Sequence, residues 1–156
     1  MTTPGTAAAA EPCQLGWSNV GPRSCAMAEV ATAPVLTLGN GICVGMLAVS
    51  GTAFDGPLWE YSNTPGAVHS VELRISQGFS PLGEWGSTTL ACDATAVVDW
   101  QNADTGRSGT VSRHIPASNT STRPVLVPVE TGPGRVRLTV RTDRPSLPVS
   151  TDVVVP

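Results

Sequence analysis

From Val35 onward the apolar residues of this chain recur at every second position. VLTL (35–38), ICVGMLAV (42–49), VHSVELRI (68–75), TTLACDATAVVDW (88–100), PVLVPV (124–129), RVRLTVR (135–141) and LPVSTDVVV (147–155) all carry this period, which predicts β-strands. In the 88–100 run, Leu90, Cys92, Ala94, Ala96, Val98 and Trp100 share one face, so Cys92 is expected to point into the core. Parity places Val71, Leu73 and Ile75 inward, with Ser70, Glu72 and Arg74 outward. In the same way Val136, Leu138 and Val140 face inward, with Arg135, Arg137 and Arg141 outward. One wet face per strand is the signature of antiparallel sheets.

Turn signals punctuate these runs. LGNG, FDGP, NTPG, SPLG, NADTG and TGPG recur at intervals of roughly ten residues, which implies about seven to nine strands in an all-β, antiparallel β-sandwich. Pro65 and Gly66 suit the central pair of a type II turn, and Gly106 suits a positive φ. TGPG (131–134) is expected to return RVRLTVR antiparallel onto PVLVPV. EYSNTPG (60–66) and DWQNADTG (99–106) each run from an aromatic through Asn to a Gly turn. They read as two copies of one hairpin corner, in which the aromatic ends an inward face and Asn bonds its own backbone.

The first 34 residues hold no period for long, apart from SCAMAEVA (24–31), where Ser24 suits the N-cap of one or two helical turns. The chain therefore divides into an irregular N-terminal arm, 1–34, and a β-sandwich domain, 35–156. The opening TTPGTAAAA has no basic n-region or long apolar h-region, yet it resembles the small-residue end of a signal peptide.

Cys13, Cys25, Cys43 and Cys92 form an even set without C-x-x-C spacing or a nearby His, which favours two disulfides in an oxidising compartment over a zinc site. Four reduced, buried thiols are the alternative. Of the three possible pairings, Cys13–Cys25 with Cys43–Cys92 is the one expected, because it ties the arm locally and joins two strands. Cys25–Cys43 with Cys13–Cys92 would bind the arm to the first strand instead. A Cys pair 49 residues apart across alternating strands, with a Trp between, resembles the inter-sheet bridge of immunoglobulin-like sandwiches. The resemblance implies that architecture and a Trp59 packed on a 43–92 bridge. It departs from the family pattern in that Trp59 comes sixteen residues after Cys43 and Leu90 stands where a tyrosine corner would place Tyr.

Composition narrows the function. All nine basic residues are Arg, against twelve acids and a net charge of -3, which disfavours nucleic acid as a partner. The longest apolar run is interrupted by Gly and is shorter than the about eighteen residues of a membrane helix, so no membrane insertion is expected. His69 and His114 have no partners at ligand spacing, and scattered Asp55, Asp93, Asp99, Asp104 and Asp143 form no calcium loop. GWSNVG around Ser18 fails the nucleophile-elbow spacing. No cofactor, metal or catalytic set is therefore expected.

Two surfaces remain as candidates: Phe54, Trp59 and Tyr61, three of seven aromatics in one short stretch, and the outward Arg135, Arg137 and Arg141, near Arg123 and Arg144. The arginines suit an anionic polymer, or simply pair with acids on neighbouring strands. The sequence reads as a non-enzymatic binding or structural module, secreted or at the cell surface, whose partner is a protein or a cell-surface polymer. A bacteriophage virion protein (decoration or tail component) and a secreted enzyme inhibitor are the rival readings.

Overall fold

The computed structural model describes residues 11–15, 23–38, 43–77, 92–116 and 124–156. Expectations placed on the N-terminal ten residues, Ser18, Leu90, the SPLG turn and Arg123 lie outside the described residues. The described chain is all-β. In order it forms β1 (Cys13–Gln14), β2 (Arg23–Ser24), β3 (Met27–Ala31), β4 (Val35–Leu38), β5 (Val44–Phe54), β6 (Ser70–Gln77), β7 (Ala94–Asn102), β8 (Ser108–Ile115), β9 (Val125–Val129), β10 (Gly134–Thr142) and β11 (Val149–Val155).

Two open antiparallel sheets carry the fold in a sandwich-like arrangement. One runs β11-β10-β7-β8; the other runs β3-β5-β6-β9, with β4 also paired to β5. A short parallel pair, β1-β2, lies apart from both. Val35, Leu47, Val71, Leu73, Ile75, Val127 and Val129 of one sheet meet Ala96, Val98, Ile115, Val136, Leu138 and Val140 of the other in one buried core. These are the inward positions that parity assigned in β6, β7 and β10. Small β-branched side chains fill the space between the sheets, the role such residues play on a pleated surface.

The segment expected to form one or two helical turns over 24–31 is instead strand from Met27 to Ala31. β3 and β4 both pair antiparallel with β5, through Ala31↔Ser50 and then Val35↔Leu47. Residues 32, 33 and 34 face only 48 and 49, so the two strands are one edge strand interrupted by a one-residue bulge beside Pro34. Pairing with β5 buries Val30 in the core and overrides the helix propensity of Ala, Met and Glu. β8 was not expected, because SGTVSRH is largely polar on both parities. Its pairing with β7, rather than a burial pattern, makes it a strand. Ser70 and Glu72 have the outward parity expected of them but are buried, since the chain before β6 folds over them and Asn63 bonds the Glu72 carboxyl.

TGPG does not return the chain onto its neighbour. β10 pairs with β7 and β11, and β9 pairs with β6, so the segment crosses from one sheet to the other. The reason lies in the β7–β8 corner. Asn102, fully buried at the end of β7, donates from its side-chain amide to the carbonyls of Thr131 (3.0 Å) and Pro133 (2.9 Å). Its side-chain oxygen accepts from the backbone N–H groups of Asp104 (3.0 Å) and Thr105 (3.1 Å). One carboxamide thus closes the hairpin turn and holds the crossover against it. Gly106 takes φ 75°, as expected of the turn.

The 60–66 corner also lies in a hairpin connection, and Gly66 (φ 80°) follows Pro65 in a turn closed from Ala67 N to Thr64 O (3.2 Å). It is not a copy of the other corner, for Asn63 is exposed and Tyr61 points to solvent. At the opposite end, buried Gln77 accepts from Cys92 N (2.9 Å) and donates to the Ile115 carbonyl (2.6 Å), joining the end of β6 to the start of β7 and the end of β8.

Three substitutions separate these contributions. Leu138→Asp places a carboxylate at a fully buried position and is expected to unfold the protein, whereas Arg137→Ser should change stability by less than about 0.5 kcal/mol. Asn102→Ala leaves the turn and crossover groups without partners and should cost about 3 kcal/mol. Urea unfolding curves of the three variants provide the check, and equal midpoints would refute the face assignment and the role of Asn102.

Candidate binding surfaces

β5 ends at Phe54, and the chain then turns through Asp55 and Gly56 into a cis bond before Pro57. This loop is stitched to the N-terminal segment. Cys13 N donates to Pro57 O (2.8 Å) and Trp59 N to Cys13 O (2.8 Å), while Leu58 bridges Cys13. The Cys13–Cys25 disulfide, Phe54 and Leu58 form a small second core. Arg23 closes its rim, donating to the Asp55 carboxylate (3.2 Å) and to the Gly56 carbonyl (2.6 Å).

The three candidate aromatics therefore separate. Phe54 is 1% exposed and belongs to this second core, Trp59 is half-buried, and Tyr61 is 71% exposed with its ring 6.4 Å from that of Trp59. Trp59 sits by Cys13 rather than on the Cys43–Cys92 bridge, because the loop that carries it is paired to the N-terminal segment. Sulfur atoms of Cys13 and Cys25 and an oxygen of Asp55 lie within 4.8 Å of one another. The disulfide leaves no thiolate there, and Asp55 is taken by Arg23 and by Ala26 N, so these groups do not fit a metal ion.

The candidate arginines share one sheet face as parity required, and each meets an aspartate. Arg135 grips Asp104 through Nε (3.0 Å) and Nη2 (2.8 Å), and its backbone N–H adds a third bond to the same carboxylate (2.8 Å). Arg141 donates to Asp99 (2.8 Å), which also accepts from Thr110 (2.8 Å). Arg137 lies 3.8 Å from Asp152. Hydrogen bonds from Arg141 and then Thr110 hold the Asp99 carboxyl below the usual carboxylate range, and those from Arg135 do the same for Asp104. Glu72 moves the other way, because burial pushes its carboxyl up against the opposing influence of Arg74 and Asn63.

Two further surfaces escaped the pattern. Leu36, Leu38, Val44 and Leu147, each at least 42% exposed, line a groove of about 290 Å³ beside Thr37. Leu36 and Leu38 sit on the outward parity of VLTL, so an apolar residue on both parities of that run is the sequence signal for the groove. The second is a cleft of about 430 Å³ where β8 faces β9, lined by Phe54, Trp100, Arg107, Val111, Pro128 and Glu130. Trp100 is half-buried and reaches across to Gly109, where a Cβ would lie 2.8 Å from the indole nitrogen. The histidines are placed apart from these surfaces: His69 Nδ1 lies 2.6 Å from the Pro156 carbonyl oxygen, and His114 lies 3.8 Å from Asp93.

No protein-family model, curated protein or solved structure matches the chain.

The carboxyl shifts set opposite pH dependences. Asp99 and Asp104 have lowered values in the folded state, so their stabilisation is complete above the unfolded value of about 4 and fades as pH falls through the folded value. Glu72 has a raised value, so its charge costs stability as pH rises from the unfolded value through the folded one. Glu72→Gln is accordingly expected to raise Tm at pH 7, with the gain shrinking towards pH 4. Asp99→Asn should lower Tm at pH 7 and have less effect at pH 3. Thermal melts at several pH values test both, and a gain for Glu72→Gln that does not vary with pH would refute the burial argument.

Proposed function

We propose that this protein is a non-enzymatic, disulfide-stabilised β-sandwich of immunoglobulin-like architecture that works outside the cytoplasm by binding a protein or a cell-surface polymer. The observation that carries the reading is that both cysteine pairs are bridged, Cys13–Cys25 and Cys43–Cys92, with no free thiol. Such bridges persist in oxidising compartments. No helix among the described residues is long and apolar enough to cross a membrane.

Strand order supports the architectural part of the reading. With β5, β6, β7, β8, β9, β10 and β11 taken as strands A, B, C, C′, E, F and G, the pairing is A-B-E against G-F-C-C′, and Trp100 falls on strand C. The β3–β4 edge is an addition to that plan. The 43–92 bridge is also displaced from the family position, joining the residues just before β5 and β7 at one rim rather than the middles of strands B and F.

The binding part rests on how charge is distributed. The arginines of β10 are engaged by aspartates, so the face serves as a fixed, mixed-charge surface rather than a cationic patch. Among the described residues, the Trp59–Tyr61 loop, the Leu36–Leu147 groove and the β8 edge with its cleft are open to a partner.

Peptide mapping of natively purified, thiol-blocked protein without reductant is expected to yield the 13–25 and 43–92 linked peptides and no alkylated cysteine. Four alkylated thiols would overturn the extracellular reading. Chain-entropy arguments add a stability test. Replacing Cys43 and Cys92 together by Ala should cost about 4 kcal/mol, and replacing Cys13 and Cys25 about 3 kcal/mol, in denaturant unfolding.

A further inference from the structure

The free edge of β8 combines three features. First, its backbone groups are open. Asn102 N donates to Arg107 O and Ala103 N to Arg135 O, so the even-numbered residues of β7 bond to β8 and the odd-numbered ones to β10. The N–H and C=O groups of Ser108, Thr110, Ser112 and His114 consequently face away from β7, and β8 ends the strand order of its sheet. The edge of β9 across the cleft carries Pro128 in mid-strand, which removes a donor there.

Second, two arginines of this edge make no ion pair among the described residues. Arg135, Arg137 and Arg141 on β10 all reach an aspartate, but Arg107, just before β8, and Arg113, towards its end, have no carboxylate within ion-pair distance among the described residues. Glu130 lines the cleft at the Arg107 end, and Asp93 lies beside His114. Third, the inward side is apolar and incompletely filled. Val111 is half-buried, and Gly109 exposes the Trp100 indole to the cleft.

We propose that β8 is a docking edge for an extended acidic peptide segment of a partner protein, which adds to the sheet as an antiparallel strand. Alternate side chains of such a strand point into the cleft. The middle ones lie over Val111 and Trp100 and favour apolar residues, while the flanking ones reach Arg113 and Arg107 and favour carboxylates. Side chains of the other parity lie on the polar face beside Ser108, Thr110 and Ser112. Main-chain hydrogen bonds supply affinity, and the cleft with its two arginines supplies selectivity. A second copy of β8 is disfavoured as the occupant, because antiparallel self-pairing brings the arginines of both copies onto one short ribbon without an acid between them.

This inference deepens the reading of the protein as a binding module, and the two fail separately, since disulfide mapping does not depend on peptide binding. The test titrates the full chain with the peptide acetyl-DTVTLTD-amide, with its KTVTLTK counterpart, and with the acidic peptide N-methylated at its threonines, read by calorimetry and by fluorescence anisotropy of labelled peptides. The acidic peptide is expected to bind at least tenfold more tightly than the lysine peptide, and N-methylation should weaken it at least tenfold. Ser112→Pro removes an edge donor at an exposed site and should also weaken binding at least tenfold, while Arg113→Glu should reverse the preference between the two peptides. Arg137→Glu should leave binding unchanged within about twofold. Equal affinity for the acidic and lysine peptides, full affinity of the N-methylated peptide, or a dimer of the chain alone that Ser112→Pro abolishes would each overturn the proposal.

Discussion

The fold turns on one carboxamide. Asn102 lies at the end of β7, fully buried, and its oxygen and nitrogen are committed to opposite tasks: the oxygen closes the β7–β8 turn, and the nitrogen holds the segment that crosses from β9 to β10. An amide is suited to this because it offers two donors and an acceptor with two lone pairs on a rigid plane. An aspartate would face two carbonyls with nothing to donate. The crossover in turn places β10 between β7 and β11, and so decides which strands share a sheet. Asp104 and Arg135 reinforce the junction from the solvent side with three hydrogen bonds, a fork that Lys does not reproduce.

A similar economy appears at the two rims. Gln77 uses both ends of its amide to tie β6, β7 and β8 together next to the 43–92 bridge. The 13–25 bridge and Arg23 fix the β5–β6 loop against the N-terminal segment. Each of these is a long-range tie in a chain whose core side chains are small. The buried cluster is almost entirely Val, Leu, Ile and Ala, and Phe54 lies outside it in the second core. Side chains of that size bury less apolar area each than aromatics do, so covalent and polar ties carry a larger share of the definition of the fold.

Charge follows a consistent logic across the face of the β11-β10-β7-β8 sheet. Neighbouring strands place Asp99 and Asp152, and the β7–β8 turn places Asp104, where Arg141, Arg137 and Arg135 project, and pairs so placed define register as much as they add stability. The edge strand β8 lies next to only one strand of its own sheet, and among the described residues Arg113 on it and Arg107 just before it find no such neighbour. The stretch least strand-like by sequence thus lies at an open sheet edge.

The amino-acid sequence by itself determined the strand character of most of the chain, the inward faces of β6, β7 and β10 and the positive-φ turn glycines. Each of these depends on a local period, on a residue type with one conformational use, or on the parity of a single strand. The alternation of Val136, Leu138 and Val140 survives any sheet order, because parity is a property of one strand alone. Only the tertiary structure decided that Met27–Ala31 is strand, that SGTVSRHI pairs at all, that TGPG crosses between sheets, and that Phe54, Trp59 and Tyr61 part company. These outcomes depend on which distant segment arrives to pair or to cover. The chain's local code is ambiguous there, and hydrogen bonds between residues such as Asn102 and Thr131, 29 positions apart, select one answer.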